Sequence, residues 1–215
     1  MKRGKFIVLE GTEGCGTSTQ MRRLVEHYNQ TRKVITTQNP TESPAGQTIR
    51  GVLRGEAPED LYINGLPNQY LAAAMFTIDR LHQGVAIEKY LKRGDLVLTD
   101  RHTPSTLAYQ SMENEGTTNV PFETLLWMHK RVPIPDLLFY VHIPPEISVQ
   151  RMIHRGGKRE VFEDDRHAEE IVKRYDFVMG ELSQRGYQVI KIDGALPIEE
   201  VTAECIRHID RTLAA

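Results

Sequence analysis

The sequence predicts one α/β domain: a five-stranded parallel sheet with helices on both faces, a three-layer arrangement. Three observations lead there. Five short apolar runs, at 6–9, 34–37, 96–98, 137–141 and 187–192, alternate with longer segments of helical periodicity. The central runs (Phe6-Ile-Val-Leu9, Leu96-Val-Leu98 and Leu137-Leu-Phe-Tyr-Val141) are apolar throughout, the pattern of strands covered on both faces. The 215 residues contain no linker, internal repeat or low-complexity tract, so 1–215 reads as one domain with a substantial core.

The elements follow in order. After the strand at 6–9 comes a glycine-rich turn, and a helix spans 19–28. The second strand, 34–37, is short and β-branched. Gln38-Asn-Pro-Thr-Glu-Ser-Pro-Ala-Gly46 is turn chemistry, since two prolines, an asparagine and a glycine cannot extend a strand. A short helix runs through Ile49 and Leu53, and 55–64 is polar and looped. The longest helix, 70–91, carries Leu71, Ala74, Met75, Ile78, Leu81, Val85 and Tyr90 at helical spacing and is ended by Gly94. The strand 96–98 is closed by Thr99-Asp100-Arg101, and helices follow at 105–112 and 121–131. Pro135-Asp136 introduces the strand 137–141, and the helix 145–154 has proline in its first turn. Gly156-Gly-Lys-Arg159 interrupts before a charged amphipathic helix, 163–184; the last strand, 187–192, leads to a closing helix, 198–213.

Composition narrows the function classes. Hydrophobic residues at 40% and charged residues at 26% suit a globular protein, and a net charge of -2 argues against a nucleic-acid or membrane-surface binder, whose footprint is basic. No apolar run approaches the roughly 20 residues that span a bilayer, and Met1-Lys-Arg-Gly-Lys5 leads into a strand rather than a signal peptide. Two cysteines make no disulfide framework, and the eight histidines show no metal-ligand spacing. The expected location is the cytoplasm.

The chemistry concentrates in three places. Gly11-Thr12-Glu13-Gly14-Cys15-Gly16-Thr17-Ser18-Thr19 has the layout G-x-x-x-x-G-K-[ST], with Thr17 where the lysine belongs. Such a turn can simply join a strand to a helix. The order strand, loop, helix, with three glycines and Ser-Thr following, favours phosphate binding by backbone N–H groups at a helix N-terminus. Ser18 supplies the hydroxyl that usually meets Mg²⁺. Cys15 sits where thiol pKa values tend to fall; a small residue filling the turn is the preferred account over a redox role. Asp100-Arg101 ends a strand on the edge where ligands of parallel sheets collect. A carboxylate there holds Mg²⁺ or orients an attacking oxygen, and an arginine grips phosphate bidentately; a structural ion pair is the competing reading. Arg155-Gly156-Gly157-Lys158-Arg159 places three cations on a glycine-loosened segment, about 154–162: either a solvated turn or a basic lid.

The motifs, in register, resemble thymidylate kinase. Phe6-Ile-Val-Leu-Glu-Gly11 with Ser18-Thr-Gln20, Asp100-Arg-His102 followed by Ser105-Thr-Leu-Ala-Tyr-Gln110, Pro135-Asp136, and Ile192-Asp193 carry the likeness across the chain, and Thr41-Glu-Ser-Pro-Ala-Gly-Gln-Thr-Ile-Arg50 resembles the stretch after the family's Arg-Glu-Pro motif. The resemblance implies a P-loop NTPase-like fold and transfer of the ATP γ-phosphoryl group to dTMP with Mg²⁺, giving dTDP and ADP. It implies that Phe76 stacks on thymine, Arg80 reaches a base oxygen, Thr106 makes a polar base contact and Tyr109 crowds the sugar against a 2′-hydroxyl. Arg101 would hold the acceptor phosphate, Asp100 would serve metal and acceptor, and Pro40 would lie on the substrate side. Ser18, Asp100 and Glu13 form the expected metal set. Arg151, Arg155, Lys158 and Arg159 would belong to the lid region, and the backbone at Asp193 and Gly194 would flank adenine. Family members usually form homodimers through helices, which makes the apolar face of 70–91 the candidate interface.

Two departures stand out: Thr17 for the loop lysine, and Gln38-Asn39 for the Arg-Glu before Pro40. Losing one charge-assisted contact of roughly 3–4 kcal/mol in the transition state costs on the order of 10²–10³ in rate. Relatives with an acid at the position of Glu13 tend to carry extra lid cations, so Lys158 or Arg159 is the expected substitute. Two alternatives stay open: a weak or inactive nucleotide-binding regulator, and a kinase for another monophosphate such as dUMP.

Overall fold

The computed structural model describes residues 2–63, 66–112, 119–155 and 168–214. Five strands form the expected parallel sheet: β1 (Phe6–Glu10), β2 (Val34–Gln38), β5 (Leu96–Asp100), β6 (Leu137–His142) and β7 (Val189–Asp193), ordered β2-β5-β1-β6-β7. The chain runs from β1 to the edge strand β2, returns to place β5 between them, then crosses β1 to add β6 and β7 on the other side. β1 therefore lies at the topological switch point, where a crevice opens outside the carboxyl ends of the strands.

Alternation along each strand divides the core into two layers. Phe6, Val8, Val97, Leu138 and Tyr140 face α3 (Gln69–Lys92), α4 (Thr103–Tyr109), α5 (Phe122–Met128) and α7 (Ala168–Gln184). Ile7, Leu9, Leu96, Leu98, Leu137 and Phe139 face α1 (Thr17–Tyr28) and α8 (Ile198–Ala214). The Tyr28 hydroxyl donates to Asp210 at 2.8 Å and ties α1 to α8. Before β6, Asp136 accepts the Phe6 N–H at 2.8 Å, satisfying the start of β1. The remaining helices are α2 (Pro44–Leu53), capped by the Ser43 hydroxyl accepting from Gly46 N–H at 3.0 Å, and α6 (Pro145–Arg155).

Several boundaries differ from the sequence reading, each for a local reason. α1 begins two residues early, at Thr17, because left-handed Gly16 (φ 97°) is its N-cap. α4 starts at Thr103, with Pro104 in its first turn, and α5 is shorter than expected. β7 begins at Val189 because Gly186 (φ 90°) turns the chain just before it. The stretch 55–64 is not all loop: a 3₁₀ turn, Glu59–Leu61, leads into the two-stranded hairpin β3 (Tyr62–Ile63) and β4 (Leu66–Pro67). Gly156-Gly-Lys-Arg159 and the expected helix start at 163–167 lie outside the described residues.

α3 departs most from ordinary patterning. Its apolar stripe is turned away from the core, with Leu71, Ile78, Leu81 and Val85 at 39%, 57%, 38% and 75% exposure. The face it buries carries Gln69, Thr77, Asp79, Arg80 and Gln83 beside Ala72, Ala73 and Gly84, and turns apolar only toward its end, at Ile87 and Leu91.

Candidate nucleotide-binding site

A single cleft of about 550 Å³ runs along the carboxyl edge of the sheet, from the glycine loop to α3 and α4. Its floor is the loop after β1. Gly11 passes so close beneath β6 that a Cβ would stand 2.4 Å from the Val141 carbonyl oxygen, so no side chain fits. The loop then delivers Thr17, Ser18 and Thr19 as the first turn of α1, with their N–H groups at the positive helix end. Thr17 is buried in the turn, its hydroxyl 3.9 Å from Cys15 Sγ; it fills the lysine's position without a charge. The Cys15 thiol is not activated. Burial drives its pKa up to about 11, which overrides any pull from the helix terminus and leaves a space-filling role.

Ser18 Oγ donates to Asp100 Oδ2 at 2.8 Å, joining the loop to the end of β5. Asp100 Oδ1 has no protein partner. Hydroxyl and carboxylate oxygens, one of them free, fit a hard cation. Among the described residues no group of three or more His, Cys, Asp or Glu side chains could cage a metal. Mg²⁺ is commonly held this way, by one or two protein oxygens with phosphate and water completing its octahedron. Glu13, expected in the metal set, is ion-paired to Arg101.

Arg101 sits in the left-handed region (φ 65°), the only non-glycine with positive φ among the described residues. That conformation costs roughly 1–3 kcal/mol and turns the chain sharply off β5. Its Nη2 pairs with Glu13 on the glycine loop, its Nη1 donates to the Tyr175 hydroxyl at 2.9 Å, and its guanidinium lies 6.0 Å from the Tyr109 ring centre. Below it Glu10, fully buried, accepts from His102 N–H at 2.6 Å and from the Ser105 and Tyr175 hydroxyls at 2.7 and 3.2 Å. Burial raises the Glu10 pKa; Arg101, Ser105, His102 and Arg80 oppose the rise.

The far wall is built by α3. Arg80 is buried, donating from Nη1 to Thr106 Oγ1 and from Nη2 to the His102 carbonyl at 2.7 Å, with its guanidinium 5.0 Å over the Phe76 ring. Burial lowers its pKa to about 10, so it remains a cation at neutral pH. Beside it Asp79 takes four hydrogen bonds from the loop after β2: Thr41 Oγ1, Thr41 N–H at 2.8 Å, Ser43 Oγ at 2.7 Å and Asn39 Nδ2 at 3.1 Å. Burial disfavours the ionised form, yet these donors hold the carboxyl below its usual value. Because an ionised carboxylate only accepts, the Asn39 amide must present its nitrogen to Asp79, which leaves Oδ1 buried and unpartnered.

Of the sequence-predicted residues, Thr12 to Thr19, Pro40, Phe76, Arg80, Asp100, Arg101, Thr106, Tyr109 and Arg151 all line this one cleft. Arg151 bridges two carbonyls, Gly14 at 3.2 Å and Gly194 at 3.1 Å, so it links the glycine loop to the turn after β7. Asp193 and Gly194 stand outside the cleft wall behind that bridge; Arg155 is the last residue of α6, and Lys158 and Arg159 lie outside the described residues. Sequence reasoning missed Glu10, Asp79, Tyr175 and Gln110. A lone acid ending an apolar strand and a polar row along α3 were signals for the first two. Nothing local marks Tyr175. Gln110, within a quoted motif, is buried in the cleft wall with neither amide atom partnered. Three guanidinium groups against two carboxylates line the cleft, and Thr12, Asn39, Arg80, Asp100 and Gln110 each keep a buried polar atom without a protein partner. That lining suits a polar, anionic ligand.

Comparison with known proteins agrees. A family model described as thymidylate kinase matches residues 9–205. Thymidylate kinase of Dinoroseobacter shibae is 32% identical over 99% of this chain and 98% of its own, and that of Burkholderia thailandensis is 31% identical over the full length of both. The thymidylate kinase structure from Candida albicans superposes with a TM-score of 0.77 at 19% identity, covering 98% of this chain and 94% of that one. The chain belongs to the thymidylate kinase family.

Proposed function

We propose that this chain is a dTMP kinase: it transfers the γ-phosphoryl group of ATP to the phosphate of dTMP, giving dTDP and ADP. The observation that carries the reading is the continuity of the cleft, which joins a phosphate loop to a pocket holding Phe76, Arg80, Thr106 and Tyr109, with Asp100 and Arg101 between them. Donor and acceptor phosphates then meet at Asp100 and Arg101, and transfer needs positioning and charge rather than a covalent intermediate.

In this reading Phe76 stacks on the base, Arg80 and Thr106 contact its polar edge, and Tyr109 excludes a 2′-hydroxyl. Arg101 holds the acceptor phosphate. The glycine loop from Gly11 to Thr19 and Arg151 hold the donor phosphates, and the backbone at Asp193 and Gly194 flanks adenine. Ser18 and Asp100 hold Mg²⁺, which neutralises phosphate charge when bound. Arg155, Lys158 and Arg159 belong to a lid, where Lys158 or Arg159 replaces the cation absent at Thr17. Two copies pair through the outward apolar stripe of α3, whose Ile78 and Val85 are 57% and 75% exposed. The enzyme acts in the cytoplasm, in keeping with two free, buried cysteines.

The test is an acceptor panel of dTMP, dUMP, ribothymidine monophosphate and purine monophosphates with Mg·ATP. A kcat/KM highest for dTMP and reduced for the ribonucleotide supports the assignment. Equal use of dUMP, or no acceptor-dependent turnover, overturns it.

A further inference from the structure

Arg101 reaches into the cleft from a strained, left-handed backbone, and a guanidinium on three flexible carbons does not stay aimed by itself. Anchors on opposite sides fix it, beside a further side-chain bond to Tyr109 on α4. Glu13 holds Nη2 from the glycine loop, and the Tyr175 hydroxyl holds Nη1 at 2.9 Å from α7. One contact leaves a planar fork free to swivel about it; two contacts on different nitrogens define its plane.

Tyr175 is built for this task. Its ring is fully buried, stacked on Tyr140 with centroids 5.8 Å apart and 11° between planes, and it meets Tyr109 edge-on at 6.0 Å. The hydroxyl has a defined direction. Arginine only donates, so the phenol oxygen accepts from Arg101 and its proton turns to the Ser105 hydroxyl at 2.9 Å or to Glu10 Oε2 at 3.2 Å. Ser105 in turn donates to Glu10 Oε2 at 2.7 Å. The sequence of bonds ends on a buried carboxylate, which polarises the phenol and strengthens its hold on the guanidinium.

We propose that Tyr175 is the positioning residue that aims Arg101 at the acceptor phosphate. The proposal rests on the dTMP kinase reading for the identity of that phosphate, and on geometry alone for the coupling of Tyr175 to Arg101. Tyr175→Phe removes one oxygen and keeps both ring contacts; it also takes away the phenol's bond to Ser105 or Glu10, so the Arg101→Ala background is what isolates the anchor.

Three measurements test it. Calorimetric titration with dTMP and with thymidine separates the phosphate's contribution from the nucleoside's. Tyr175→Phe is expected to weaken dTMP roughly tenfold and thymidine less than about twofold. In an Arg101→Ala background the same substitution is expected to change dTMP affinity by less than about twofold, because the guanidinium it positions is gone. The third readout needs no nucleotide: the ¹⁵N resonance of Arg101 Nε, resolved and ordered in the unaltered protein, is expected to move toward that of a free side chain in Tyr175→Phe. An equal loss for dTMP and thymidine, or the same dTMP loss in both backgrounds, overturns the proposal. So does an Arg101 resonance that Tyr175→Phe leaves unmoved, whichever nucleotide is the acceptor. Failure of the unaltered protein to bind dTMP would count against the kinase reading, and the resonance would still decide the role of Tyr175.

Discussion

Replacing Asp79 with asparagine removes a charge from the point where α3 holds the loop after β2. Four donors converge on this carboxylate, from Asn39, from the backbone and side chain of Thr41, and from Ser43. Ser43 is also the N-cap of α2, and the Thr41 hydroxyl accepts from Ser43 N–H at 3.1 Å, so the start of that helix hangs on Asp79. An asparagine there accepts through one oxygen only and points an amide nitrogen at the remaining donors. About two charge-assisted bonds are lost at roughly 1.5–3 kcal/mol each, or about 3–6 kcal/mol in all. Against a typical total stability of about 5–15 kcal/mol this is a large share. For a domain of this size it lowers Tm by on the order of 10 °C. Arg80 also loses a neighbouring negative charge that helps keep it protonated. Calorimetric melts of the unaltered protein and Asp79→Asn give the answer, together with the KM for dTMP, which is expected to rise as the Asn39-Pro40 side of the cleft loosens. A Tm within about 2 °C of the unaltered protein would refute the reasoning.

Further predictions concern other parts of the molecule. Thr17→Lys restores the missing donor-side cation and is expected to raise kcat by up to about 10²–10³; Lys158→Ala with Arg159→Ala is expected to lower it, and unchanged turnover in that pair removes the lid cations from the mechanism. Burial, reinforced by Arg80, holds the His129 pKa down to about 3 against an ordinary 6.5. Between those values only the unfolded chain takes up the proton, so stability falls as pH falls, by up to about 1.4 kcal/mol per pH unit. Glu10, whose pKa burial raises, acts in the opposite direction, so the His129 contribution is read by difference: His129→Gln should lose less stability than the unaltered protein between about pH 7.5 and about pH 5.5 in urea titrations, and equal losses contradict the assignment. Ile78→Lys with Val85→Lys, on the exposed stripe of α3, is expected to convert a dimer to a monomer in sedimentation equilibrium; an unchanged mass excludes that face.

The sheet was legible because its strands are apolar on both faces, and β1, β5 and β6 could hardly be read otherwise. The glycine loop was legible because its geometry is local: Gly11 and Gly16 must be glycine for reasons that involve only a close approach and a backbone angle. Asp100 and Arg101 could be placed because a strand end fixes where they stand. The inward face of α3 was harder. Periodicity marks where its apolar stripe lies but not whether the core or another surface takes it. Here the middle of the core side is polar because Asp79, Arg80 and Gln83 satisfy loop and strand groups. Tyr175 was beyond reach for the same reason: its partners Arg101 and Glu10 lie 74 and 165 residues away, and no spacing rule connects residues that only the fold brings together. At Cys15 the preferred reading, a small residue filling the turn, agrees with the structure: burial in the packed loop raises the thiol pKa rather than lowering it.

The most direct test of the kinase assignment follows both products at once, dTDP by chromatography and ADP by a coupled assay, in purified protein with Mg·ATP and dTMP. The expected result is one dTDP per ADP, dependent on dTMP and on Mg²⁺, at a rate that Thr17→Lys increases. ADP formation that ignores dTMP, or no dTDP from either the unaltered protein or Thr17→Lys, would contradict it.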